Sequence, residues 1–82
     1  TTINEKETPS YVMYPNPANI GAIVTINSNS KIRTIELKNI LGENIFASRA
    51  NFISTNNLAK GVYIVCILFN DGKMTENKLI IE

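Results

Sequence analysis

Residues 62–69 read VYIVCILF, and the next three are Asn70, Asp71 and Gly72. This is the longest apolar run in the chain, yet it is far shorter than the roughly 20 residues that a helix needs to span a bilayer. It also lacks the 3.6-residue stripe of an amphipathic helix. Its length and β-branched content are those of a strand apolar on both faces. One face would carry Val62, Ile64, Cys66 and Leu68, the other Tyr63, Val65, Ile67 and Phe69. Asp71-Gly72 ahead of a second run, MTENKLIIE, predicts a two-residue hairpin. A central strand locked to the final strand is therefore imposed on whatever the rest of the chain builds.

The rest is strand-like as well. YVMY stops at Pro15 and Pro17, and AIVTIN sets Ala22, Val24 and Ile26 on one side. In IRTIELKN, Ile35 and Leu37 alternate with Glu36 and Lys38, the pattern of a half-buried antiparallel strand. Gly42 in ILGE suits a turn with positive φ, and NIFASRA follows, so residues 32–49 read as a hairpin. A weaker segment at Phe52 and Ile53 leads through STNN and LAKG into the central strand. About seven short strands predict an all-β fold, a small antiparallel immunoglobulin-like β-sandwich. Residues 1–10, TTINEKETPS, are polar and without period and read as a linker tail, leaving 11–82 as the folded domain.

Composition removes several functions. With no histidine and one cysteine, the chain lacks the usual neutral-pH base, the commonest metal ligand and any Cys-His pair. The reading is noncatalytic, with no cofactor. A net charge of +1 gives no long-range field for nucleic acid or an anionic membrane. The basic residues, among them Lys31, Arg33, Lys38, Arg49, Lys60, Lys73 and Lys78, form no run. No apolar segment is long enough to insert into a membrane as a helix. The start at Thr1 reads as a piece of a longer protein.

Four landmarks fall in order: YPNPA, ILGE, LAKGVYIV and KLII. Together they resemble the C-terminal sorting domains of type IX secretion cargo in Bacteroidetes, in the type A class. The resemblance covers Tyr11 to Glu82. It implies a folded, noncatalytic address for transport across the outer membrane, covalently linked to a cargo domain upstream. Its partners would be the type IX translocon and a sortase-like peptidase, with cleavage at or before residues 1–10. The route it implies is periplasm in transit, then the cell surface or the medium. The residues that match the family's motifs are Tyr14, Pro15, Asn16, Pro17, Leu41, Gly42, Gly61, Val62, Tyr63, Lys78, Leu79 and Ile80.

Each landmark also has a plain structural reading. Pro15 and Pro17 lack backbone donors and push Tyr14 and Asn16 toward extended geometry, making a stiff turn that is also cheap to dock. Leu41-Gly42 reads as a turn with an apolar plug, and Tyr63 as a buried ring with its hydroxyl near a polar partner. KLII reads either as the closing strand or as an edge gripped by strand addition. The chain ends in Glu82, where family members often carry a basic residue. A second departure is the apolar Cys66 and Leu68 face. Either another segment covers it, or it is a patch that binds a partner. The competing function is an immunoglobulin-like accessory module that binds carbohydrate or stabilises a neighbouring enzyme. The six aromatics, three Tyr and three Phe without Trp, lie mostly inside apolar runs, which weighs against a sugar platform.

Overall fold

A computed structural model of the chain describes residues 10–82. The linker tail read over 1–10 lies, apart from Ser10, outside the described residues. These fold into seven strands: β1 Tyr11–Tyr14, β2 Ile23–Ser28, β3 Ile32–Asn39, β4 Asn44–Ser48, β5 Phe52–Ser54, β6 Gly61–Phe69 and β7 Met74–Ile81. They form a three-stranded sheet, β1-β2-β5, and a four-stranded sheet, β4-β3-β6-β7, with every strand pair antiparallel. In the constant-type immunoglobulin sandwich the fourth strand stays with the first sheet. Here β4 joins β3 in the larger one.

The core lies where alternate residues of both sheets meet. Val24 and Ile26 of β2 and Ile53 of β5 face Ile35 and Leu37 of β3 and the odd-numbered side of β6, Tyr63 to Phe69. Leu79 and Ile81 of β7 complete it. Tyr11 leans on Phe69 with ring centroids 6.3 Å apart and closes the side where β1 meets the larger sheet. The period-2 alternation read from β2 and β3 is therefore the inward face. Each of these buried aliphatic side chains contributes about 1.5–3 kcal/mol by leaving water.

Both hairpins of the larger sheet turn through three residues. At β6–β7, the Phe69 amide donates to the Lys73 carbonyl at 2.8 Å and the Gly72 amide to the Phe69 carbonyl at 2.9 Å. Asn70, Asp71 and Gly72 thus form the loop, with Gly72 at φ 93°. The predicted two-residue loop is corrected because Asn70 belongs to the other neighbour. Its amide donates to the Lys31 carbonyl at 2.9 Å, and its carbonyl accepts from Arg33 at 3.2 Å. The β3–β4 loop, Ile40-Leu41-Gly42, repeats this plan, with Gly42 at φ 87°. A glycine in the left-handed position after a type I turn is the usual three-residue solution.

The even-numbered face of β6 has no further layer over it among the described residues. Cys66 is only 5% exposed, yet Ile64 and Leu68 are half-buried and Val62 is exposed. The side chains that enclose Cys66 are cross-strand neighbours, Thr34 and Glu36 from β3 and Met74 and Glu76 from β7.

Candidate functional site

The first and last landmarks are one structure. After β1 the chain crosses to the free edge of β7 and runs parallel to it. The Ala18 amide donates to the Ile80 carbonyl at 2.8 Å, and the Glu82 amide donates to the Ala18 carbonyl at 2.8 Å. The Ile20 amide reaches the Glu82 carbonyl at 3.1 Å. One step earlier in this parallel ladder, a backbone would have to donate to Lys78 and accept from Ile80. Residue 16 makes both contacts with its side chain. Asn16 Nδ2 donates to the Lys78 carbonyl at 2.8 Å, and the Ile80 amide donates to Asn16 Oδ1 at 3.1 Å.

The chemistry explains the residue type. A primary amide carries the same donor and acceptor as a peptide group. Pro15 and Pro17 on either side have no N–H to offer the ladder. Both X-Pro bonds in this stretch, Tyr14-Pro15 and Asn16-Pro17, are cis. Ala18, buried against Ile81, anchors the far end of the segment.

The middle landmarks lie at the same end of the larger sheet. Register sets Asn39 opposite Tyr63 and Tyr63 opposite Leu79. Gly61 stands opposite Ile81, which is bridged to Ala18. Continuing the β3–β6 register by one residue brings Ile40 level with Val62, and Val62 faces Ile80. The exposed apolar strip Leu41, Ile40, Val62 and Ile80 therefore runs across one end of the sheet, with Lys78 and Pro17 beside it.

Not every predicted residue is presented there. Leu79 and Tyr63 are buried, and the Tyr63 hydroxyl donates to the Ala59 carbonyl at 2.6 Å. Gly61, at φ 149°, opens β6. Tyr14 lies on the outer face of the three-stranded sheet, opposite Thr25. Leu41 is not a plug. It is 80% exposed and Ile40 72%, because Asn39 builds the turn without them. Asn39 Oδ1 accepts the Leu41 and Glu43 amides at 2.9 and 3.0 Å, and Nδ2 donates to Glu43 at 2.8 Å. An Asx turn needs no apolar cap, so the two side chains project outward.

Three features of the structure had escaped the sequence reading. Asn39 is the first. Thr55 is the second: fully buried, it accepts the Gly21 amide at 2.8 Å and donates to the Ala22 carbonyl at 2.7 Å, fixing the loop that follows the parallel segment. The third is the gathering of Lys31, Arg33 and Arg49 at the opposite end of the larger sheet. The hairpin register over 32–49 held that signal, since pairing Ile35 with Ser48 brings Arg49 level with Thr34, one residue from Arg33.

Electrostatics at the remaining polar side chains do not assemble a catalytic group. Burial, then the charge and hydrogen bond of Glu76, push the Cys66 thiol above its ordinary value. Among the described residues no cluster of three metal-ligating side chains occurs.

Comparison with known proteins agrees with the landmarks. A family model described as a secretion system C-terminal sorting domain matches residues 12–82. An ulvan lyase of Nonlabens ulvanivorans is 26% identical over 86 aligned residues, taking in 99% of this chain and 16% of that protein. The chain therefore spans a small part of that relative's length. Among solved structures, CopC from Methylosinus trichosporium OB3b aligns over 88% of this chain and 91% of its own, at 15% identity and TM-score 0.49.

Proposed function

The chain belongs to the family of secretion system C-terminal sorting domains, and on that premise we propose that the type IX machinery reads it at the end of the larger sheet where the landmarks meet. As a member it is a noncatalytic secretion signal, and its cargo is carried across the outer membrane to the surface or medium. The surface we assign to recognition is the strip Leu41, Ile40, Val62 and Ile80, with Lys78 and the Pro15-Asn16-Pro17 segment along its edge. Tyr63, Gly42, Gly61 and Leu79 act by shaping that end. Tyr14 delivers the chain into the segment.

The observation that carries the reading is the Asn16 carboxamide on the edge of β7. It joins landmarks more than sixty residues apart into a single surface. A receptor contacting one end of the sheet would then meet all of them together, and a misfolded or truncated chain would lose them together. The stiff segment loses little entropy on docking. The finer parts of this proposal are the type A class, passage through the periplasm, contact with the translocon itself, and removal by a sortase-like peptidase at residues 1–10. The upstream cargo is a secreted protein; an activity like that of the lyase relative is one candidate for it.

The test is a fusion of residues 1–82 at the C-terminal end of a periplasmically exported reporter, in a host with the machinery. Reporter outside the cell supports the proposal. Retention of the folded fusion in the periplasm contradicts it.

A further inference from the structure

Basic side chains scattered along the sequence converge at the end of the larger sheet remote from the landmarks. Two adjoining cavities open there. The first, about 320 Å³, is lined by Ser28, Ser30, Arg49 and Asn51 among others. The second, about 410 Å³, is lined by Lys31, Ile32, Arg33, Arg49 and Asn70. Ile32 and Arg49 line both, so the two form one cleft with Arg49 at its centre.

Among the described residues none of Lys31, Arg33 and Arg49 forms an ion pair. Arg33 spends one guanidinium donor on the Asn70 carbonyl at 3.2 Å, which leaves most of its five. Asp71 lies in the adjacent loop but lines neither cavity, and its carboxylate accepts the Lys73 amide at 3.0 Å. Three like charges around a concave surface focus a positive potential, although the whole chain carries only +1.

We propose that this cleft binds an anionic saccharide, holding a sulfate or carboxylate group at Arg49 with Arg33 and Lys31. Ring hydroxyls then donate to the oxygens of Ser28, Ser30 and Asn51, whose own donors are engaged by Ser30, Asn29 and Ile26. Guanidinium groups match oxyanions through paired N–H donors. Hydroxyl and amide side chains beside cations match a ligand that alternates hydroxyls with charge. The two open grooves adjoin along Ile32 and Arg49, so a ligand longer than one oxyanion can lie across both. No aromatic lines the cleft, so the stacking platform of a single-stranded nucleic-acid site is missing. The site lies at the end where the chain enters, since Ser10 and Asn29 are paired there. It is independent of the recognition strip, and both can be occupied at once.

The experiment is a titration of ¹⁵N-labelled residues 1–82 in low salt, followed by amide chemical shifts. The probes are a chondroitin sulfate tetrasaccharide, a tetragalacturonate, neutral cellotetraose, inorganic sulfate and a short single-stranded DNA. Shifts confined to residues 28–33, 49–51 and 70 are expected with one or both acidic oligosaccharides, and none with cellotetraose. The sulfated and uronate arms identify the oxyanion. Arg49→Gln should weaken binding about tenfold, the loss of one charge-assisted contact, with an unchanged melting curve. Lys31→Gln should weaken it less, and Lys38→Gln, outside the cleft, should leave it unchanged. Shifts absent or spread over the surface overturn the proposal. So do undiminished binding by Arg49→Gln, equal binding of cellotetraose or DNA, or sulfate alone acting as strongly as the oligosaccharides.

Discussion

Asn16 and Ile80, sixty-four positions apart, are joined by a hydrogen bond of 3.1 Å in which a side-chain carboxamide stands where a peptide group would. The same carboxamide donates to Lys78, so one residue extends the parallel ladder past two prolines. Asn16→Ala should lose both bonds and cost about 1–2 kcal/mol in urea unfolding. Asn16→Asp keeps an acceptor for Ile80 but turns a carboxylate toward the Lys78 carbonyl, so it should not restore stability. In Asn16→Ala, hydrogen exchange at the Ile80 amide should accelerate more than at Leu79, which faces β6.

Two threonine hydroxyls should behave in opposite ways. The Thr55 hydroxyl binds Gly21 and Ala22, so Thr55→Val should destabilise by about 1–3 kcal/mol: the Gly21 amide loses its acceptor, while the Ala22 carbonyl keeps the Thr55 amide. The Thr75 hydroxyl is buried without a partner among the described residues. Thr75→Val replaces it with a methyl of similar shape and should be neutral or stabilising. Denaturant midpoints of the two variants check the contrast.

At the β3–β4 tip, space and backbone can be separated. No atom lies within 4 Å of a Cβ built on Gly42, but its φ is +87°. Gly42→Ala should therefore cost about 1–2 kcal/mol through backbone conformation alone. Leu41→Ser, on an exposed side chain, should change stability by less than about 0.5 kcal/mol. Thermal melts of the two variants separate turn geometry from surface chemistry.

Cys66 should be a sluggish nucleophile. Burial and then Glu76 raise its thiol pKa, so less thiolate exists at a given pH than for a free cysteine. Thiol-reagent kinetics should be slow near pH 8 and faster in Glu76→Gln. The neutral thiol is the form the fold favours. Its contribution is thus intact below the ordinary thiol pKa, about 8.5, and is lost as pH rises through the raised value.

Much of the fold could be read locally. Alternation in β2 and β3, and Gly42 and Gly72 after their turns, are period and φ effects that each short segment carries by itself. The two-residue loop at Asp71-Gly72 went wrong because Asn70 is held by Lys31 and Arg33, a contact from outside the hairpin. Leu41 was taken for a plug because an apolar turn residue suggests burial, whereas Asn39 had already satisfied the turn. The landmarks were visible as separate motifs, and their union was not. That union depends on a parallel crossing from one sheet to the edge of the other, which no periodicity encodes. The even face of β6 read either as covered by another segment or as a patch for a partner, and the cross-strand neighbours of Cys66 are what enclose that residue.

The most direct test of the account compares reporter export by residues 1–82 with export by the double variant Leu41→Ser, Val62→Ser. Both substituted side chains are exposed, so an unchanged melting curve is expected and should be verified first. The account predicts that the wild-type fusion reaches the medium and that the folded variant falls about tenfold or more, the effect of about 1.4 kcal/mol of lost docking energy. Equal export by the folded variant would contradict the assigned strip, and no export by the wild-type fusion would contradict the sorting signal itself.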